Sequence, residues 1–221
     1  MQFFARPVTD IDVHIFRLLH DALSGAWLWP MAILSVIGGG WGAVGVVPLL
    51  ASVRTRRFAT SLAAVLGVTA VLVFVLKRIV ARVRPCGCLA DVKARVFDAP
   101  TDFSFPSGHS AGSFAFAVFV AVVLVSSSRG HAGARERWTR RGVAVLMLVL
   151  AIGVGFSRIA LGVHFPGDVL AGAIVGSTVA LIGARLHLRG GVVPSSASSS
   201  YASFGAGGGP DAAEGPAENS P

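Results

Sequence analysis

Three short stretches of this sequence hold the side chains that chemistry needs. In "KRIVARVRP", residues 77–85, Lys77 and Arg84 stand seven residues apart. In "PSGHS", residues 106–110, His109 follows a proline and two small residues. In "SRIALGVHFPGD", residues 157–168, Arg158, His164 and Asp168 come in succession. Seven residues make two helical turns, so Lys77 and Arg84 share a face if the helix runs on through Ala81, which is small enough to admit an anion. A helix starting at Ser107-Gly108-His109 presents unpaired backbone N–H groups with no bulky side chain over Ser107 or Gly108, which suits an anion. Pro166 fits the first turn of a helix, where its missing N–H costs nothing. Asp168 then lies in that turn, within reach of His164. A carboxylate on one imidazole nitrogen fixes the tautomer and leaves the other nitrogen nucleophilic.

Each stretch also has a plainer reading: a basic interfacial patch, a serine cap beside a lone histidine, and an aspartate that only caps its helix. Taken together they offer three cations, two helix N-termini, two histidines and a carboxylate. Phosphoryl transfer without a metal needs such a set: donors for the phosphate oxygens, a nucleophile, and an acid for the leaving group.

The elements that must position these residues are apolar. The 221 residues are 53% hydrophobic and 14% charged, against about a quarter charged in a soluble domain, so the chain reads as a one-domain integral membrane protein. The net charge of +8 raises the question of a nucleic-acid partner. None is expected, because the basic residues cluster between apolar runs, as topology signals and headgroup contacts do. The fold class expected is an all-α membrane bundle of about five transmembrane helices. The spans are 22–53 (with a helix over 31–53), 58–76, 110–128, 142–157 and 165–184. Ahead of them Ile11, Ile15, Leu18, Leu19 and Ala22 recur at helical spacing with Asp10, Asp12, Arg17 and Asp21 between, which predicts an amphipathic helix along the interface within residues 1–24. The start lacks the pattern of a cleaved signal peptide. Residues 25–189 form the expected membrane domain, and the Gly-, Ser-, Ala- and Pro-rich residues 190–221 read as a disordered tail without chemistry.

Five spans place the connections 54–57, 129–141 and 185–189 on one side with ten Lys or Arg, against nine on the other. Several of those nine belong to the chemical stretches, so the positive-inside rule assigns the first side to the cytoplasm and the three chemical stretches to the outer face. Cys86 and Cys88 read as free thiols in preference to a metal or redox pair. The pattern "GAIVG", Gly172 to Gly176, favours close packing within the bundle over a dimer seam, and the glycine run at 38–45 invites the same reading. The oligomeric state is left open.

The three stretches resemble the signature motifs of the type-2 phosphatidic acid phosphatase and haloperoxidase superfamily. Those are a Lys, six residues, then Arg-Pro; Pro-Ser-Gly-His; and Ser-Arg, five residues, His, three residues, Asp. Every signature position is filled here, in family order, over roughly residues 58–187. The resemblance implies that His164 attacks phosphorus to form a phosphohistidine and that Asp168 orients it. His109 would protonate the leaving oxygen and then activate water. Lys77, Arg84, Arg158, Ser107 and the N–H of Gly108 would hold the phosphate oxygens. It implies no metal and no cofactor. Haloperoxidase relatives are largely soluble, and a chain this apolar argues against that branch. The outer loop 86–105 is too small to capture a soluble metabolite, so a lipid phosphate in the bilayer is the expected substrate. A polyprenyl diphosphate leads, ahead of phosphatidic acid and phosphatidylglycerol phosphate. Asp91, Asp98 and Asp102, with Lys93 and Arg95, make that loop the expected selectivity element. A phosphotransferase on the same site and a non-catalytic binding protein are the rival classes.

Overall fold

The computed structural model describes residues 9–41, 52–127 and 133–190. Every regular element among them is helical. Helix α1 (Asp10–Ala22) is capped by Thr9, whose Oγ1 accepts from the Asp12 N–H at 3.3 Å, with Asp10 and Asp12 in the first turn against the helix dipole. Ile11, Ile15 and Leu18 are exposed, while Phe16 and His20 are buried. Asp12 lies on the buried side too. This differs from a helix with all its charges solvated, and the reason is an ion pair described below.

A short turn at Gly25–Trp27 leads into α2 (Leu28–Val36), and a wide turn at Ile37–Trp41 follows, in which Gly39 is extended (φ −71°, ψ 167°). A continuous helix over 31–53 is therefore not formed: it is broken at Gly39, and residues 42–51 lie outside those described. The break allows close approach. A Cβ at Gly38 would collide with Val154, and one at Gly39 would sit 3.4 Å from the His109 Nε2. The segments Asp10–Ala22 and Gly25–Gly39 meet at 95°.

The long helices are α3 (Val53–Val80), α5 (Gly108–Ser126), α6 (Ala134–Ala160) and α7 (Pro166–Arg189), with the single-turn α4 (Pro85–Cys88) after α3. Four helical segments are long and apolar enough to cross a membrane, or five if the bent N-terminal pair is one span. The chain is an all-α, multi-pass membrane protein. Helices α6 and α7 run further than their apolar cores, so residues 134–141 and 185–189 are helical and not loops. Arginine is a good helix former, and Glu136–Arg140 adds an i,i+4 pair at 2.5 Å. At that same end Arg57 Nη2 donates to the His187 carbonyl at 2.7 Å and ties α3 to α7.

Helix α5 is the centre of the bundle. Its Ala115 and Phe119 pack with Leu62 of α3 and with Ala180 and Ala184 of α7. Large apolar side chains such as Val71, Phe74, Val149, Ile174 and Leu181 point outward, as a lipid-facing surface requires. The small-residue pattern on α7 is used inside the bundle: a Cβ at Gly172 would press on the Ser107 carbonyl, and one at Gly176 would overlap the Ala111 carbonyl. Backbone contact this close has no slack. Gly176→Val is expected to lower stability by about 1–3 kcal/mol or more, read as a drop in the midpoint of thermal unfolding in detergent.

Candidate active site

Helices α3 and α6 end, and α5 and α7 begin, at one end of the bundle. That places Lys77, His109, Arg158 and Asp168 together. Helix α3 stops at Val80 because Ala81 adopts a left-handed conformation (φ 48°, ψ 38°). Lys77 and Arg84 therefore do not share a helical face. Arg84 stands in extended backbone just before α4, whose first residue is Pro85. Residues two apart in an extended segment point the same way, so Arg82 and Arg84 both enter the site, and both are buried.

His164 lies in the turn between α6 and α7. The Arg158 carbonyl accepts from the N–H groups of Val163 and His164 at 3.2 and 3.3 Å. Gly162 (φ 76°) permits the turn, and a Cβ there would meet the Lys93 carbonyl at 2.8 Å. His164 is 2% exposed. Its Nε2 is 3.0 Å from Arg84 Nη1, and its Nδ1 is 3.4 Å from the Ser104 Oγ and 3.6 Å from Asp168 Oδ2. Ser104 in turn donates to Asp168 Oδ2. The link from His164 to Asp168 thus runs largely through Ser104, because 3.6 Å is beyond a direct hydrogen bond. With an acceptor beside Nδ1 and a guanidinium beside Nε2, the proton belongs on Nδ1 and the lone pair on Nε2. Burial pushes the imidazole pKa down to about 3; the Asp168 contact opposes this and the Arg84 charge adds to it. The ring is neutral at physiological pH.

Asp168 both caps α7 and serves the histidine. Its Oδ2 accepts from the Phe165 N–H at 2.9 Å, and its Oδ1 pairs with Arg82 Nη1 at 2.7 Å. Arg82 is clamped on its other side by Asp12 Oδ2 at 2.5 Å and lies 4.5 Å over the Phe165 ring. Asp12 Oδ1 accepts from the Gly167 N–H at 2.8 Å. A buried chain Asp12–Arg82–Asp168 therefore couples α1, the end of α3 and the start of α7. Neither Arg82, Asp12 nor Ser104 stood out in the sequence. The available signals were an arginine two residues from Arg84 and an aspartate inside an apolar-faced helix.

Around the histidine, Lys77 Nζ is 3.0 Å from Asp102 Oδ2, and Arg84 Nη2 is 2.5 Å from Asp102 Oδ1. Lys77 also donates to the Phe103 carbonyl. Burial would raise the Asp102 carboxyl, but hydrogen bonds from Lys77 and Arg84 hold it below the usual carboxylate range. Arg158 Nη1 donates to the Ser35 Oγ of α2, and its Nε is buried without a partner. Of the amides at the start of α5, Ser107 N–H is taken by the Asp168 carbonyl at 3.0 Å, contrary to its expected freedom. The Ser107 Oγ accepts from the Ser110 N–H at 3.4 Å, while Gly108 and His109 keep amides without a partner among the described residues. Two cavities meet at Gly39. One, of about 450 Å³, is lined by apolar groups of α3, α5 and α6 such as Val73, Phe74, Phe116 and Leu150, and reaches Lys77 and Gly108. The other, of about 400 Å³, is lined by Ser35, Arg95, Asp98, His109 and Arg158 among others. Loop residues Arg95 and Asp98 thus border the site, while Asp91 turns away to pair with Arg17 at 2.7 Å.

The PAP2 superfamily model matches residues 58–190, and the chain belongs to that superfamily. It is 28% identical over 180 residues to the undecaprenyl-diphosphatase of Sulfolobus acidocaldarius, covering 81% of this chain and 80% of that one. It is 31% identical over 143 residues to decaprenylphosphoryl-5-phosphoribose phosphatase of Mycobacterium tuberculosis, covering 65% and 69%. The crystal structure of the transmembrane PAP2-type phosphatidylglycerolphosphate phosphatase from Bacillus subtilis superposes with a TM-score of 0.66 at 25% identity, over 82% of this chain and 88% of that one.

Two outcomes test this geometry. With its pKa at about 3, His164 remains neutral through pH 5, where an ordinary imidazole near 6.5 is almost wholly protonated. Nitrogen-15 spectra of histidine-labelled protein at pH 5 should show one ring, absent in His164→Gln, as the neutral Nδ1–H tautomer. Asp12→Ala leaves Arg82 with half its compensation and should cost about 3–5 kcal/mol, measured by thermal unfolding.

Proposed function

We propose that this member of the PAP2 superfamily is a membrane phosphatase that removes a phosphate from a lipid through a phosphohistidine, with no metal. One juxtaposition carries the reading: the apolar cavity reaches Lys77 and Gly108, so a lipid chain lying in it delivers its phosphate to the cations beside His164 Nε2. Lys77, Arg84, Arg158, the Ser107 hydroxyl and the amide of Gly108 hold the phosphate oxygens. They neutralise the charge of an in-line transition state before it forms. His164 Nε2 attacks phosphorus, and the Nδ1–H, held towards Ser104 and Asp168, stabilises the imidazolium-like phosphohistidine. His109 gives its proton to the leaving oxygen and then takes one from the water that hydrolyses the intermediate. A carrier-lipid diphosphate is the substrate we favour, since two curated relatives are named for polyprenyl-linked phosphates. Phosphatidic acid and phosphatidylglycerol phosphate are the next choices. Charge bias along the chain puts the site on the extracytoplasmic face and the C-terminal tail in the cytoplasm. The catalytic unit of residues 25–189 also takes in α1, which supplies Asp12.

The test is phosphate release by detergent-purified protein in excess EDTA, with polyprenyl diphosphate, phosphatidic acid, phosphatidylglycerol phosphate and a soluble phosphomonoester offered in parallel. Release should persist in EDTA, favour a lipid over the soluble ester, and fall at least roughly a thousandfold in His164→Ala. Activity that disappears with EDTA would overturn the mechanism, and transfer to an added acceptor in place of water would reassign the protein as a phosphotransferase.

A further inference from the structure

Resting on the assignment of Lys77 and Arg84 as phosphate ligands, we propose that Asp102 is a charge filter on the site. Its carboxylate sits on those two cations, is displaced by a phosphomonoester or a terminal diphosphate, and is not displaced by a phosphodiester.

Asp102 occupies the cations as a phosphate would. Its two carboxylate oxygens divide between Lys77 Nζ, at 3.0 Å, and Arg84 Nη2, at 2.5 Å. The remaining Arg84 donors are also engaged: Nε by the Asp102 carbonyl at 2.8 Å, and Nη1 by the Val163 carbonyl at 2.9 Å and by His164 Nε2 at 3.0 Å. Any phosphate that uses these donors must take them from the protein. The acceptor that can yield is the Asp102 carboxylate. Its side chain is 57% exposed, whereas those of Lys77 and Arg84 are 12% and 7% exposed. The carboxylate can therefore turn into water at small cost in solvation, while the cations cannot follow it. Rotation of that side chain suffices, because the main-chain carbonyls of Asp102 and Phe103 keep their own bonds to Arg84 and Lys77 and hold the loop in place.

The exchange selects by charge. The carboxylate is tethered, so it competes at a high effective concentration. A phosphodiester brings a single negative charge and trades like for like against this tethered competitor, with no electrostatic gain. A phosphomonoester carries about −1.5 to −2 at neutral pH and offers three free oxygens. The third can use Arg158, whose Nε is buried without a partner. At a bilayer surface this discrimination matters, because ordinary phospholipid headgroups are phosphodiesters, present in great excess over any monoester substrate and able to enter the same cavity.

Isothermal titration of the full-length, detergent-purified protein with orthophosphate and with dimethyl phosphate at pH 8 tests the filter without turnover. Wild type should bind orthophosphate and exclude dimethyl phosphate. Asp102→Asn should bind orthophosphate roughly tenfold tighter, the order expected for removing one partly exposed competing charge, and should admit dimethyl phosphate. Asp102→Glu should restore the exclusion. In mixed micelles, phosphatidylglycerol should inhibit Asp102→Asn and leave wild type unaffected. Unchanged or weaker orthophosphate binding in Asp102→Asn would make Asp102 a mere support for the cations and overturn the proposal. So would wild-type protein that binds dimethyl phosphate within about tenfold of orthophosphate, a result that depends on no variant. Selective phosphate binding without lipid hydrolysis would sink the phosphatase assignment and leave the filter standing, whereas a phosphatase whose selectivity ignores Asp102 would sink the filter alone.

Discussion

Four cationic side chains, Lys77, Arg82, Arg84 and Arg158, are withdrawn from water at one end of a membrane bundle. Charge buried in such a place is tolerated when it is compensated and hydrogen-bonded, and the surrounding structure meets that requirement for three of the four. Asp12 and Asp168 neutralise Arg82 from two sides, and Asp102 spans Lys77 and Arg84. Among the described residues Arg158 alone of the four has no carboxylate within ion-pair distance and holds only a serine hydroxyl. The site is therefore electropositive by construction, with Arg158 its least compensated member.

The same requirement explains why the helices meet as they do. Asp168, beside His164, is fixed by the start of its own helix, by Ser104 and by Arg82. Arg82 is rigid because α1 folds back at 95° to present Asp12. Helix α7 reaches the right depth because Gly172 and Gly176 let its backbone lie on Ser107 and Ala111 of α5. The glycines, the amphipathic first helix and the Asp168 carboxylate thus form one mechanical unit. Helix α1 is part of the support of the site as well as the bearer of an exposed apolar face of Ile11, Ile15 and Leu18.

Much of this was legible beforehand. The long apolar helices and the convergence of their polar ends follow from hydropathy and from spacing within single segments, and the signature positions are readable from their resemblance to the PAP2 superfamily. The misreadings share a cause. A helix through Ala81, a continuous span over 31–53 and loops at 134–141 and 185–189 were each inferred from local pattern. Each was decided by something the pattern does not show: a left-handed residue at Ala81 that redirects Arg82 and Arg84, a close approach of Gly38 to Val154 beside the break at Gly39, an i,i+4 pair between Glu136 and Arg140, and a bond from Arg57 to the end of α7.

The sequence by itself determined which side chains can do chemistry and that they emerge at one surface, because transmembrane length, helix-start chemistry and the order of Lys77, Arg84, His109, Arg158, His164 and Asp168 are properties of contiguous residues. Only the tertiary structure decided which charge answers which. Asp12 and Arg82, 70 residues apart, Ser104 and Asp168, 64 apart, and Arg84 and Asp102, 18 apart, are joined by packing. The energy of a buried ion pair depends on distance and dielectric, and neither is written in residue order.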